Sequence, residues 1–271
     1  MSLFWWRKKK NRVAILTIDG IITDSRLSAS RDKILEGLER VQELRARATV
    51  VRINSPGSTV GAAQEIHEGI KNLREKGIPV VASLGDVAAS GGIYVAVAAT
   101  KIVANPGTVT GSIGVAIKAN DLRALYQKIG IASEVIKSGP YKDILSTFRA
   151  LTQEERALLQ QVIDDTYAQF IKAIAAGRNL PEEKIREFAD GRIFTGQKAK
   201  EYGLVDELGG FERAVELAAE LGGIVGVPRK IEAIPEKRGF VGRLFSTMDR
   251  VELEMELLRE LSGIPLWLMP M

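Results

Sequence analysis

The sequence predicts an α/β protein built on a largely parallel sheet. Runs of β-branched and apolar residues alternate with stretches whose apolar residues recur at three and four, the helical period. Glycine, proline and asparagine punctuate the joins. Repeated strand-helix-strand units need right-handed crossovers, which lay their strands parallel. At 271 residues, 45% of them hydrophobic, the chain can bury one large core or two small ones.

Arg12 to Ile18 reads as the first strand, closed by the turn Asp19-Gly20. Arg31 to Arg47 carries Ile34, Leu35, Leu38, Val41 and Leu44 on one helical face, and Thr49 to Ile53 is the next strand. Asn54-Ser55-Pro56-Gly57-Ser58 then forms a tight turn whose backbone N–H groups can point outward. It leads into a helix with Ala62, Ala63, Ile66, Ile70 and Leu73 inward, which leaves His67 on a flank or at the surface. Ile78 to Ala82 is a strand ending near Gly85, and a helix begins at about Ser90.

Lys101 to Ala104 is extended and leads into a loop alternating glycine with hydroxyl residues through Gly114. Val115 to Ile117 resumes extended structure, Asp121 caps a short helix through Lys128, and Ile131 to Lys137 reads as a strand. The loop Ser138 to Asp143 carries one lysine. Thr152 and Glu155 form a capping box at the head of a helix reaching Gly177. Pro181 opens another helix, Thr195 to Tyr202 is a short one stopped by Gly203, and Phe211 to Leu221 is the last of the core. Beyond Pro235, Val241, Leu244, Phe245, Met248, Val251, Met255 and Leu258 recur at helical spacing beside four glutamates. That pattern fits a helix docking on a partner or sister subunit better than a lipid surface. Ile264 to Met271 has no pattern. The organisation expected is residues 1–11 as an aromatic and basic segment, 12–235 as the main domain and 236–271 as a tail.

Net charge is +4, but the basic residues alternate with glutamates instead of forming a stripe, which argues against nucleic acid. With no cysteine and one histidine, disulfides, thiolate catalysis and zinc clusters have no ligands, and no cofactor is expected. No apolar run reaches the eighteen or so residues a transmembrane helix needs, nor is there a secretory signal. Phe4, Trp5 and Trp6 followed by Arg7 to Lys10 pair interfacial aromatics with cations that anionic headgroups attract. A membrane-associated or cytoplasmic protein is therefore expected, with peripheral contact through these residues.

Ser90 stands where a strand meets a helix, followed by Gly91 and Gly92. A hydroxyl there is either a helix cap or a nucleophile placed among unpaired N–H groups that stabilise developing negative charge. Nucleophilic use needs a base, and with no oriented histidine that base is a carboxylate or a neutral amine.

Five motifs decide between these readings. NSPG at Asn54 to Gly57, AASGG at Ala88 to Gly92, TGSIG at Thr110 to Gly114, SGPYKD at Ser138 to Asp143 and FTGQKAKEYGLVDELGG at Phe194 to Gly210 resemble, in order, the signal peptide peptidase A family of serine peptidases. The resemblance runs from about Arg12 to Leu221. It implies a Clp protease/crotonase-like fold of repeated strand-strand-helix units, here with a C-terminal helical extension. It further implies Ser90 as nucleophile, Lys142 as general base, Ser112 hydrogen-bonded to the lysine, and Gly57 and Gly91 as oxyanion donors. Hydrophobic peptides, remnant signal peptides among them, would be the substrates, and a ring-like homo-oligomer the assembly. Ser58 departs from the family's second glycine, and a left-handed backbone there would cost serine about 1 kcal/mol or more. Lys142 must be desolvated to act as a base, and Asp143 must point away from it. The competing functions are a crotonase-like acyl-CoA enzyme and a non-enzymatic membrane-associated scaffold.

Overall fold

β1 (Arg12–Asp19) is buried on both faces from Val13 to Leu16, as an inner strand of a parallel sheet must be. The computed structural model describes residues 11–25 and 29–234, and the backbone of 266–268. The expected aromatic and basic segment, Phe4 to Lys10, and the expected helix from Val241 to Leu258 lie outside the described residues. β2 (Ile22–Thr23) and β3 (Ala29–Ser30) lead into α1 (Arg31–Glu43), β4 (Ala48–Ser55) and β5 (Gly57–Thr59) into α2 (Val60–Glu75), and β6 (Val80–Ala89) into α3 (Gly91–Ala96). β7 (Lys101–Ala104), β8 (Val109–Gly111) and α4 (Arg123–Lys128) precede the long α5 (Gln153–Arg178). α6 (Glu182–Arg186), β9 (Ile193–Thr195), α7 (Gly196–Glu201), β10 (Glu207–Leu208), α8 (Phe211–Leu221) and β11 (Arg229–Glu232) follow, and β12 (Leu266–Leu268) is last.

The main sheet has the order β10-β7-β6-β4-β1-β11, with β8 beside the far end of β6 and β9 beside β8. Every pairing in it is parallel except β8 with β9. Alternation along the strands sorts the core into two layers. Leu16, Ile18, Ile53, Leu84, Ile66, Ile70, Ile93 and Phe170 fill one face. Val13, Ile15, Val50, Val81 and Val103 fill the other, closed by Ala214, Val215, Leu217 and Ala218 of α8. Fully burying each such aliphatic side chain contributes about 1.5–3 kcal/mol.

Thr152 and Glu155 make the expected capping box at the head of α5: the threonine hydroxyl accepts from Glu155 N and the glutamate carboxylate from Thr152 N. Three expectations are corrected. β6 does not stop near Gly85 but runs to Ala89, because it exchanges β7 for a new neighbour, β8. The hydroxyls of Thr108 and Thr110 donate to Gly85 O and Ala88 O across that exchange. Ile131 to Lys137 is not a strand: no sheet edge lies beside it, and Ile136 is 96% exposed. The last residues are not without structure, since β12 pairs antiparallel with β5, Trp267 opposite Ser58.

Candidate active site

β4 and β6 run side by side, so the turns leaving their C-terminal ends converge. Ser90 is the turn between β6 and α3. It is fully buried, with φ 50° and ψ −116°, a conformation that side-chain-bearing residues rarely adopt. Such outliers persist only where surrounding structure holds them and concentrate at functional sites. Here the hold is visible: Ser90 N donates to Gly111 O at 2.8 Å, and Tyr94 N to Ser90 O at 3.0 Å. The Ser90 hydroxyl is buried without a hydrogen-bond partner. A cap would show the hydroxyl accepting from a helix N–H, and no such bond is made. Gly91, the next residue, heads α3, where a backbone N–H has no acceptor within the helix.

Gly57 is buried with φ 149°, so the left-handed requirement falls on glycine and Ser58 escapes it. Its N–H donates at 3.2 Å to the hydroxyl of Ser55, which in turn donates to Gly57 O at 2.9 Å. Ser55 is a residue the sequence reading missed. It clamps the Pro56-Gly57 turn, and a hydroxyl two residues before the N–H it bonds is a recognisable turn signature.

Ser112 is brought to Ser90's side. β8 pairs with β6 through Ala89 and Gly111, so the two serines are the next residues of neighbouring strands. Ser112 is 6% exposed with φ 51°, its N–H donating to Arg192 O at 2.8 Å.

Lys142 makes no hydrogen bond to Ser90. It is exposed, and among the described residues its amine makes no hydrogen bond or ion pair. The expected desolvation is thus absent from the single chain. The stretch of chain before it is likewise open to solvent: Leu125, Ile129, Ile131, Val135, Ile136 and Tyr141 are exposed. Asp143 does point away, bonded to Lys137 at 2.6 Å and Arg149 at 2.7 Å. Those hydrogen bonds, Arg149's foremost, hold its carboxyl well below the usual carboxylate range. Arg149 also bonds Glu155 and lowers that carboxyl to about 2, tying the lysine loop to the head of α5.

His67 is half-buried on the flank of α2 rather than at the surface, the first of the two expected placements. Its Nδ1 pairs with Tyr94 O at 2.9 Å and its ring packs on Tyr94, while burial pushes its pKa down. No hydrogen bond links it to Ser90.

A parallel-rich α/β sheet presenting a buried, strained serine whose hydroxyl has no partner points to a serine peptidase. Comparison with known proteins agrees. The model of peptidase family S49 matches residues 72–224, and the chain belongs to that family. It is 46% identical over 280 residues to the slr0021 protein of Synechocystis, named as a protease, covering 98% of this chain and 99% of that one. An Enterococcus faecium protein named as signal peptide peptidase SppA is 33% identical over 76% of this chain and 62% of its own. Among solved structures, a lysine-to-alanine mutant of the membrane-bound stomatin-specific protease 1510-N, in complex with a substrate peptide, superimposes with a TM-score of 0.55. It is 18% identical and covers 88% of this chain and 97% of its own, a likeness of fold. Family membership removes the acyl-CoA enzyme and the scaffold from contention.

Proposed function

We propose that the protein cleaves hydrophobic peptides, remnant signal peptides among them, through an acyl-enzyme on Ser90 with Lys142 as base. The observation carrying this reading is the buried Ser90 hydroxyl, unpartnered on a turn of φ 50° at the head of α3. Ser90 Oγ attacks the peptide carbonyl carbon and passes its proton to Lys142 Nζ. The lysine gives that proton to the departing amine, and water then releases the acyl group. Gly91 N–H and, once Ser55 releases it, Gly57 N–H would hold the oxyanion. Each such donor is worth about 3–4 kcal/mol to the transition state. Ser112 would orient the amine without adding charge.

The edge of β5 suits an extended substrate. It already accepts β12 as an antiparallel neighbour, directly after the Gly57 turn, and strand addition of this kind reads backbone more than side chains.

Exposure of Lys142 and of the apolar residues between Leu125 and Tyr141 supports assembly into a homo-oligomer. A second copy seated there would desolvate the amine and lower its pKa. Among the described residues no helix is long and apolar enough to cross a membrane. Association with a bilayer would rest on Phe4 to Trp6 and Arg7 to Lys10.

The test is to incubate the protein with a synthetic signal peptide and map the cuts by mass spectrometry, with Ser90→Ala as control. Cleavage by wild type and none by the variant supports the reading; equal cleavage by both defeats the nucleophile assignment.

A further inference from the structure

At the end of the sheet where β1 and β4 begin, the chain from Gly222 to Pro228 makes a loop with two valines at its tip. Val225 and Val227 are 88% and 91% exposed. The loop is built to hold them out. Gly223 and Gly226 take positive φ angles of 62° and 84°. Ile224 packs back on the core beneath α8, and the Asn11 side chain donates to Val225 O at 3.1 Å. Two apolar side chains fixed outward are a standing cost in water.

The surroundings of the pair are cationic. Arg12 and Arg229 are register partners on parallel strands, so two like charges stand side by side. Arg47 donates to Gly222 O at the loop's base and lines a shallow cleft with Arg45 and Lys76, where no carboxylate appears. Among the described residues none of these five cations pairs with a carboxylate, whereas Arg149, Arg178 and Arg213 elsewhere all do. The chain enters this end at Asn11, whose carbonyl accepts from Arg229 N. Phe4 to Lys10 is therefore tethered within a few residues of the valine loop.

From this juxtaposition we infer that the edge carrying Val225, Val227, Arg12, Arg45, Arg47 and Arg229 is a docking face for a bilayer of anionic lipids. The valines enter the acyl boundary, and the guanidinium groups, of which Arg12 and Arg47 also donate to the carbonyls of Leu44 and Gly222 and none pairs with a carboxylate, meet headgroup phosphates. Because β1, β4 and β6 are parallel, Ser90 and Gly57 leave the opposite end of the sheet. The catalytic turn thus faces the aqueous phase, toward peptide that has left the bilayer. The inference rests on the reading of Phe4 to Lys10 as a membrane contact and adds the folded surface beside it.

The absence of cysteine from the chain permits a direct test on the full-length protein. A single cysteine placed by Val225→Cys, or by Asp86→Cys at the other end of the sheet, is labelled with an environment-sensitive fluorophore. Each labelled protein is titrated with vesicles of phosphatidylcholine alone or with phosphatidylglycerol added. A blue-shifted, several-fold brighter signal at position 225 with anionic vesicles only, and no change at 86, is the result expected. Flotation then compares Val225→Asp/Val227→Asp with Trp5→Ala/Trp6→Ala. A loss of about tenfold or more in the valine variant, with cleavage of soluble peptide retained, is expected. Equal responses at 225 and 86, or undiminished flotation of the valine variant, overturn the inference. If the tryptophan variant alone then fails to float, the terminal contact survives without this face. A wild-type protein that does not float removes both. A valine variant of altered assembly mass with unchanged flotation makes the surface a subunit interface, which also overturns it.

Discussion

A β-carbon placed on Gly91 would collide with the hydroxyl oxygen of Ser58 and lie 2.8 Å from Ser58's backbone nitrogen. The two turns of the site are thus in contact, and the residue after Ser90 has room only for hydrogen. Gly91→Ala should lower stability by about 1–3 kcal/mol or more, the range for overpacking. Ser58→Gly should restore part of that loss by removing the hydroxyl, but not all, because the backbone nitrogen stays. Denaturant unfolding of the two single variants and the double variant measures this; full restoration would mean the backbone yields.

Ser90→Ala should abolish peptide cleavage with the fold intact, since the hydroxyl has no structural partner. Ser90→Gly should be equally inactive yet more stable than Ser90→Ala by about 1 kcal/mol, because glycine adopts φ 50° without strain. Comparison of their unfolding midpoints checks the strain independently of catalysis.

Lys142→Ala should be inactive, and Lys142→Arg should fail to rescue it, since guanidinium does not shed its proton near neutrality. If a second copy completes the site, specific activity should also rise with protein concentration alongside assembly mass. Light scattering and turnover on one dilution series test this. Activity per chain that stays constant while the mass falls would locate the base's desolvation within a single subunit.

Removing residues 264–271 should free the edge of β5 and raise kcat/KM for peptides several-fold, because the strand lost is the one seated beside Gly57. A synthetic peptide of those eight residues should inhibit competitively. Truncation after Lys237 should do the same and, if the segment from Val241 to Leu258 docks between subunits, should also reduce assembly mass.

The Asp143–Arg149–Glu155 cluster fixes an acid limit. Both carboxyls titrate lower folded than unfolded, so their stabilisation is complete above about pH 5 and fades as pH falls through 4 toward 2. Melting temperature should drop more steeply across that interval for wild type than for Arg149→Gln. Parallel curves would mean the cluster contributes nothing measurable.

The sheet was legible in the sequence because its strands are short apolar runs and its helices carry a clear period. The capping box at Thr152 was legible because capping is local chemistry. Ser90, Gly57, Gly91 and Ser112 were reached through motifs rather than periodicity, and the structure draws them together at neighbouring strand ends. The extension of β6 past Gly85 was not legible, because its partner β8 lies twenty residues on and replaces β7 mid-strand. Ile131 to Lys137 misled for the opposite reason: strand-like composition with no neighbour to pair. The exposure of Lys142 was not legible either, because burial depends on contacts that its local sequence does not specify.

The change of neighbours along β6 has a consequence for how the enzyme comes into being. Ser90's dihedral is held by Gly111, Gly111 is paired with Ile193 on β9, and Ser112 is held by Arg192. The Ser90 turn is therefore the product of contacts reaching about a hundred residues along the chain, among the slowest to form. During refolding, helical signal should return well before turnover does, and a nascent chain lacking β9 would carry the serine without the geometry that arms it. The peptidase would stay harmless to its own unfinished chain until most of the domain had folded.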